Sequence, residues 1–135
     1  MKEISVHPAS EENPGFLLWQ VSTLWSRSTT DALKPFGLNH PQFVILATID
    51  WCKGATQEEI ERRIVLDPKP TSHLLRSLQI KGLIEEGSTY RLTIAGSEML
   101  AKVFPVVESS DAAFFASIDL KNSKMVSTLQ ILARH

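Results

Sequence analysis

From Thr56 to Thr93 a short capped helix, a turn, a second helix and a two-stranded hairpin follow one another with no long loop between them. Thr56 followed by Glu59 is a capping-box pattern, in which hydroxyl and carboxylate satisfy backbone N–H groups at a helix start. The helix it opens covers about Gln57 to Ile64, with Ile60 and Ile64 inward. Val65-Leu66-Asp67-Pro68 reads as a turn, and the next helix runs to Lys81 and stops at Gly82, a left-handed terminator. Leu83-Ile84-Glu85-Glu86 and Tyr90-Arg91-Leu92-Thr93 then read as two short strands around Gly87-Ser88-Thr89. Pro68 and Pro70 both fall in the first turn of the second helix, where missing N–H groups are tolerated. Pro70 pushes Lys69 away from helical angles, so a start at Pro70 is also open.

The flanks are helical. A first helix is expected from about Phe16 to Leu33, after an irregular arm over residues 1–14 in which His7-Pro8 and Asn13-Pro14-Gly15 read as breakers. His40-Pro41-Gln42-Phe43 opens a second helix that is apolar almost all round, which places it at the centre of the domain. Beyond the hairpin a long helix is expected from Thr93 to about Ile118, kinked at Pro105. A last helix is expected from about Asn122 to Ala133. The fold class is therefore mainly α with a small β-hairpin (α+β). Its centre is a winged helix-turn-helix lobe over residues 40–92 within a single domain, 1–135.

Drawn at about 100° per residue, residues 69–82 gather Thr71, Leu74, Leu75 and Leu78 on one side and Lys69, His73 and Arg76 on the other. Ser72 and Ser77 flank the polar side, and no Asp or Glu falls between Pro68 and Lys81. Lys and Arg can neutralise phosphates, Arg can pair two-pronged with guanine, and Ser and Thr can reach bases or phosphates. Taken alone, this is also the pattern of any solvated amphipathic helix. Between a capped helix and a hairpin it points to double-stranded DNA. The expected contact residues are Lys69, Thr71, Ser72, His73, Arg76, Ser77, Lys81 and, on the hairpin, Arg91. Ile80 falls on the same outward side and is consistent with a thymine methyl, the wing or a protein contact.

Bulk properties set the remaining bounds. The chain has 135 residues, 43% of them hydrophobic, with a formal net charge of -1, so a DNA reading rests on local charge. No stretch approaches the roughly 20 apolar residues that span a bilayer. The N-terminal stretch lacks the apolar core of a signal peptide. Cys52, the one cysteine, excludes an intramolecular disulfide and suits a reducing cytoplasm. It reads as an inert thiol, with oxidant sensing as the alternative. The histidines have no metal-ligand spacing, no cofactor motif appears, and no enzyme motif is found. Trp19, Trp25, Trp51, His40 and Phe43 lie near the first and second helices. Trp19, His40, Phe43 and Trp51 are taken as candidates for a small aromatic effector, with plain core packing the alternative.

The chain resembles the multiple antibiotic resistance regulator (MarR) family from about Leu17 to Ala133. Phe36-Gly37-Leu38-Asn39-His40-Pro41-Gln42-Phe43 is similar to the family's junction between its first two helices. Thr56-Gln57-Glu58-Glu59-Ile60 is similar to the start of its third helix. Asp67-Pro68-Lys69-Pro70-Thr71-Ser72, with Leu78 and Lys81-Gly82-Leu83-Ile84, is similar to its recognition helix and exit. Leu92-Thr93 with Gly96 is similar to its LTxxG entry to the long dimer helix.

The resemblance implies a homodimer built by segments 16–36 and 93–135, and two recognition helices in successive major grooves of a pseudo-palindromic site. It further implies a repressor or activator under control of a small ligand or of oxidation. The wing departs from the family pattern. Only Gly87-Ser88-Thr89 separates the strands, no arginine sits at the tip, and Glu85 and Glu86 would repel phosphates. That shortened acidic wing motivates an alternative, a winged-helix interaction module that has lost operator binding.

Overall fold

A computed structural model describes residues 10–134. The helices are α1 (Pro14–Leu33), α2 (His40–Cys52), α3 (Gln57–Ile64), α4 (Pro68–Ile80), α5 (Ile94–Phe114) and α6 (Met125–Ala133). Between α4 and α5 lie the strands β1 (Ile84–Glu86) and β2 (Tyr90–Leu92). Most of the expected N-terminal arm, with His7-Pro8, lies outside the described residues, as does His135.

Helix α1 starts earlier than the breakers suggested, because those residues build its first turn. Asn13 is extended, and its side-chain oxygen accepts from Phe16 N at 2.9 Å. Pro14 follows in the first turn, where its missing N–H would have no helical acceptor. Helix α5 runs as one element through Pro105 but ends at Phe114, short of Ile118. At 21 residues it is about 31 Å long at 1.5 Å per residue. Helix α6 begins at Met125 rather than Asn122, with no side-chain cap.

Helix α2 is central, as its apolar circumference requires: Phe43, Ile45, Leu46, Ala47 and Ile49 are all buried. Ile60 of α3, Leu75 and Leu78 of α4, Leu83 before the hairpin, Ile84 of β1, and Leu100, Val103 and Val107 of α5 close the core around it. Each such side chain contributes about 1.5–3 kcal/mol by leaving water. The core stops there. In α1 only Thr29 and Leu33 are buried, and in α6 nothing is.

The hairpin pairs Ile84 with Leu92, Glu85 with Arg91 and Glu86 with Tyr90. Ala55, just before α3, adds a bridge to Tyr90 (N–H to O 3.1 and 2.8 Å in the two directions), fixing the hairpin to the α2–α3 connection. At the exit, the Thr93 hydroxyl donates to Gly82 O at 2.6 Å and accepts from Gly96 N at 3.0 Å. A Cβ on Gly96 would run into the Leu83 carbonyl oxygen, so the hairpin root and α5 meet backbone to backbone.

Candidate nucleic-acid interface

The capping box at α3 forms in full, with Thr56 Oγ1 accepting from Glu59 N at 3.2 Å and Glu59 Oε1 from Thr56 N at 3.4 Å. The chain then turns through Val65, which is left-handed at φ 54 and ψ 55. Helix α4 begins at Pro68, not Pro70, and Lys69 is helical. Both prolines sit in the first turn, where they cost no helical hydrogen bond. Gln57 Nε2 donates to Pro68 O at 3.2 Å, holding the start of α4 to α3.

The exposed side of α4 carries Lys69, Ser72, His73 and Arg76, and Lys81 is exposed at its C-cap. Among the described residues no acidic side chain pairs with Lys69, Arg76 or Lys81; the ion pair found there is Lys34–Asp31 at 3.2 Å. Their charge is therefore available to phosphates. Ile80 continues the same side and is 78% exposed.

Two of the expected contact residues belong to the other side. Thr71 is fully buried, and its hydroxyl donates to Asp67 O at 2.8 Å. Bonding to the preceding turn satisfies the hydroxyl inside the core, so Thr71 is a packing residue rather than a DNA contact. Ser77 is half-buried; its hydroxyl donates to Leu74 O at 2.7 Å and accepts from Gln42 Nε2 at 2.9 Å. It is held from within the fold rather than offered to a groove.

On the wing, Arg91 is exposed, but it lies along Gly54 rather than at the tip, which is Gly87-Ser88-Thr89. Glu85 and Glu86 are exposed. Tyr90 is raised above the ordinary tyrosine range by burial first, then by Glu86, which also takes its hydrogen bond, and by Glu58. The wing surface is thus acidic around one arginine.

The aromatic candidates do not form one group. Trp19 and Trp51 are 70% and 68% exposed, while His40 and Phe43 are buried. Helical ends that reach past the core leave large rings without neighbours, whatever their type. The cluster that does form sits where α1, α2 and α5 meet. The Trp25 ring packs edge-on to His40 at 4.6 Å, and its Nε1 donates to Asp111 Oδ1 at 2.8 Å. Ser26 Oγ lies 3.0 Å from His40 Nδ1, and Phe43 packs against Phe104 at 5.9 Å. Burial holds His40 below the ordinary histidine range, partly opposed by the Asp111 carboxylate. Ser26 and Asp111 escaped the sequence reading, since no local pattern pairs residues so far apart in the chain.

Cys52 is half-buried. Among the described residues no group of three or more His, Cys, Asp or Glu could hold a metal ion, and no helix is long and apolar enough to cross a membrane.

No family model matches the chain. An uncharacterised HTH-type transcriptional regulator of Bacillus subtilis, YdcH, is 33% identical over 135 residues, covering 91% of each chain. The HTH-type transcriptional repressor Rv2887 of Mycobacterium tuberculosis is 26% identical over 112 residues, 77% of this chain and 81% of the repressor. The crystal structure of that MarR family protein with DNA matches at a TM-score of 0.74 and 24% identity, over 87% of this chain and 94% of Rv2887. The chain belongs to the MarR family. Another solved structure, CouR from Rhodococcus jostii RHA1 bound to p-coumaroyl-CoA, matches at a TM-score of 0.85 and 25% identity, over 94% of this chain and 96% of CouR. Rv2887 also has a structure with salicylic acid. In this MarR-family chain α3 and α4 are the helix-turn-helix and β1–β2 the wing.

Proposed function

We propose that this MarR-family chain is a homodimeric repressor that reads a pseudo-palindromic DNA site with α4 and is released by a small aromatic ligand. The observation that carries the DNA reading is the acid-free, exposed row Lys69, Ser72, His73 and Arg76 on a helix whose other side is locked into the core. Replacing Arg76 with Ala should weaken binding to the duplex upstream of its own coding sequence and lower the salt slope by about one unit. An unchanged affinity and slope would remove α4 from the interface.

The dimer reading rests on apolar surface that the chain leaves uncovered. Leu18, Trp19 and Leu24 on α1, and Val126, Leu129 and Leu132 on α6, are each about half exposed or more. A second copy can cover both helices at once, and its burial is worth about 25 cal/mol per Å² of apolar surface. Sedimentation should give a dimer at micromolar concentration.

The ligand reading rests on the Trp25–His40–Phe43–Phe104 junction, which offers rings with polar handles on Ser26 and Asp111. It is supported by the solved structures of two relatives, Rv2887 with salicylic acid and CouR with p-coumaroyl-CoA. Titration with salicylate, followed by Trp fluorescence, tests it; a flat titration with a panel of aromatic acids would count against it.

A second reading is favoured by the acidic wing and exposed Ile80: an interaction module. It predicts a stable dimer with no salt-dependent DNA affinity.

A further inference from the structure

Gln42 is buried at 6% exposure, and its backbone N–H and both polar atoms of its side chain are hydrogen-bonded. Its backbone N–H donates to Asn39 Oδ1 at 2.9 Å, and its Oε1 accepts from Asn39 N at 3.0 Å, completing a capping box at the start of α2. The remaining group, Nε2, leaves the cap and donates to Ser77 Oγ on α4 at 2.9 Å. Among the described residues this is the one side-chain to side-chain hydrogen bond between α4 and another element. Leu75 and Leu78 of α4 share the apolar core with α2, and apolar packing is not directional. A hydrogen bond is, because it weakens steeply as its angle departs from linear.

That difference matters for a helix that reads DNA. Ser77 directly follows Arg76. A roll of α4 by about 10° would carry a side-chain tip at a radius of about 6 Å through about 1 Å. Base readout by Arg needs two hydrogen bonds at once and does not tolerate such a shift. The turn that holds Gln42 also holds His40, which is tied to α1 through Ser26 and Trp25.

We propose that Gln42 is a positioning residue for DNA reading: by holding Ser77 it fixes the roll of α4 against α2, without touching DNA itself. The proposal rests on the reading of α4 as the DNA-contacting helix. It assigns Ser77 an indirect role.

The test uses four variants of the full chain: Gln42→Leu, Ser77→Ala, the double variant, and Ser77→Thr. Ser77→Ala leaves the Asn39–Gln42 cap intact. Binding is read by fluorescence anisotropy against the duplex upstream of the chain's own coding sequence and a scrambled duplex, at several salt concentrations. Each single replacement should reduce the preference for the upstream duplex by about five- to tenfold, the net worth of one hydrogen bond. The double variant should lose no more than Gln42→Leu alone, because Ser77→Ala removes a bond that Gln42→Leu has already broken. The salt slope should stay unchanged, and Ser77→Thr should restore the preference. Additive losses, or a changed salt slope in Ser77→Ala, would place Ser77 on the DNA and overturn the proposal. So would an unchanged preference in both single variants.

Hydrogen exchange of the free protein gives a readout independent of DNA. Amides of residues 77–81 should exchange about fivefold faster in Gln42→Leu and in Ser77→Ala. Unchanged exchange overturns the tether. A wild-type chain that does not prefer its upstream duplex fails the DNA reading instead, and the exchange result then judges the tether alone.

Discussion

Trp25 on α1 donates its indole N–H to Asp111 on α5 at 2.8 Å, joining residues 86 positions apart. The same ring packs on His40 of α2, so one side chain ties three helices. Replacing Asp111 with Ala leaves a half-buried donor unpaired. A hydrogen bond to a charged group is worth about 1.5–3 kcal/mol. The urea midpoint at fixed protein concentration should fall accordingly, and Trp25→Phe in the Asp111→Ala background should add little. Full additivity would mean that the two residues do not act as a pair.

His40 should give the stability of the fold a pH dependence just below neutrality. Its pKa is lowered from 6.5, first by burial and against the pull of Asp111. The unfolded chain then binds more protons than the folded one in the window running down from about 6.5, so stability rises with pH across it. Stability is complete above that pH and is lost as the pH falls below it, before carboxylates begin to titrate near pH 4 to 5. His40→Gln should flatten the curve between about pH 6.5 and 5. A curve that keeps its slope in the variant would assign the dependence elsewhere.

Val65 holds a left-handed conformation with a β-branched side chain that is 87% exposed. For such a residue the conformation costs about 1–2 kcal/mol, and no packing offsets it. Asn tolerates it better. Val65→Asn should therefore stabilise the chain by about 1 kcal/mol and raise the melting temperature by roughly 3 °C. A lower melting temperature would contradict the assigned strain.

Gly96 is the reverse case. Alanine is the better helix former by about 1 kcal/mol. Yet a Cβ there would overlap the Leu83 carbonyl oxygen and lie 2.9 Å from the Leu83 carbonyl carbon. Backbone cannot step aside as a flexible side chain can. Gly96→Ala should destabilise by about 1–3 kcal/mol net, seen as a lower thermal midpoint. An equal or higher midpoint would show that the hairpin root has room to move.

These residues also show what could be read from the chain in advance. The Thr56–Glu59 box, the centrality of α2 and the glycine after α4 are local patterns, and all three stand as read. Asn13-Pro14 is local too, but the same residues start helices and break them, and only the following turn decides. Asn39–Gln42 has the spacing of the Thr56 box, so its capping role was legible, whereas its third bond to Ser77 was not. The wheel placed Thr71 among leucines, and its hydroxyl wrongly suggested an outward role. Trp25–Asp111 is a tertiary contact that no period encodes. The exposure of Trp19 and Trp51 was hidden because composition marks rings as core without saying where the core ends.

Sequence-specific reading of DNA by α4 is open to direct test. The most direct measurement is fluorescence anisotropy of the purified protein with the duplex upstream of its own coding sequence and with a scrambled duplex, across a salt series. If α4 reads DNA, binding will be sequence-dependent and will weaken steeply as salt rises, through release of counterions from the phosphates that Lys69, Arg76 and Lys81 would neutralise. Equal weak binding to both duplexes, or binding indifferent to salt, would contradict it and favour the interaction-module reading.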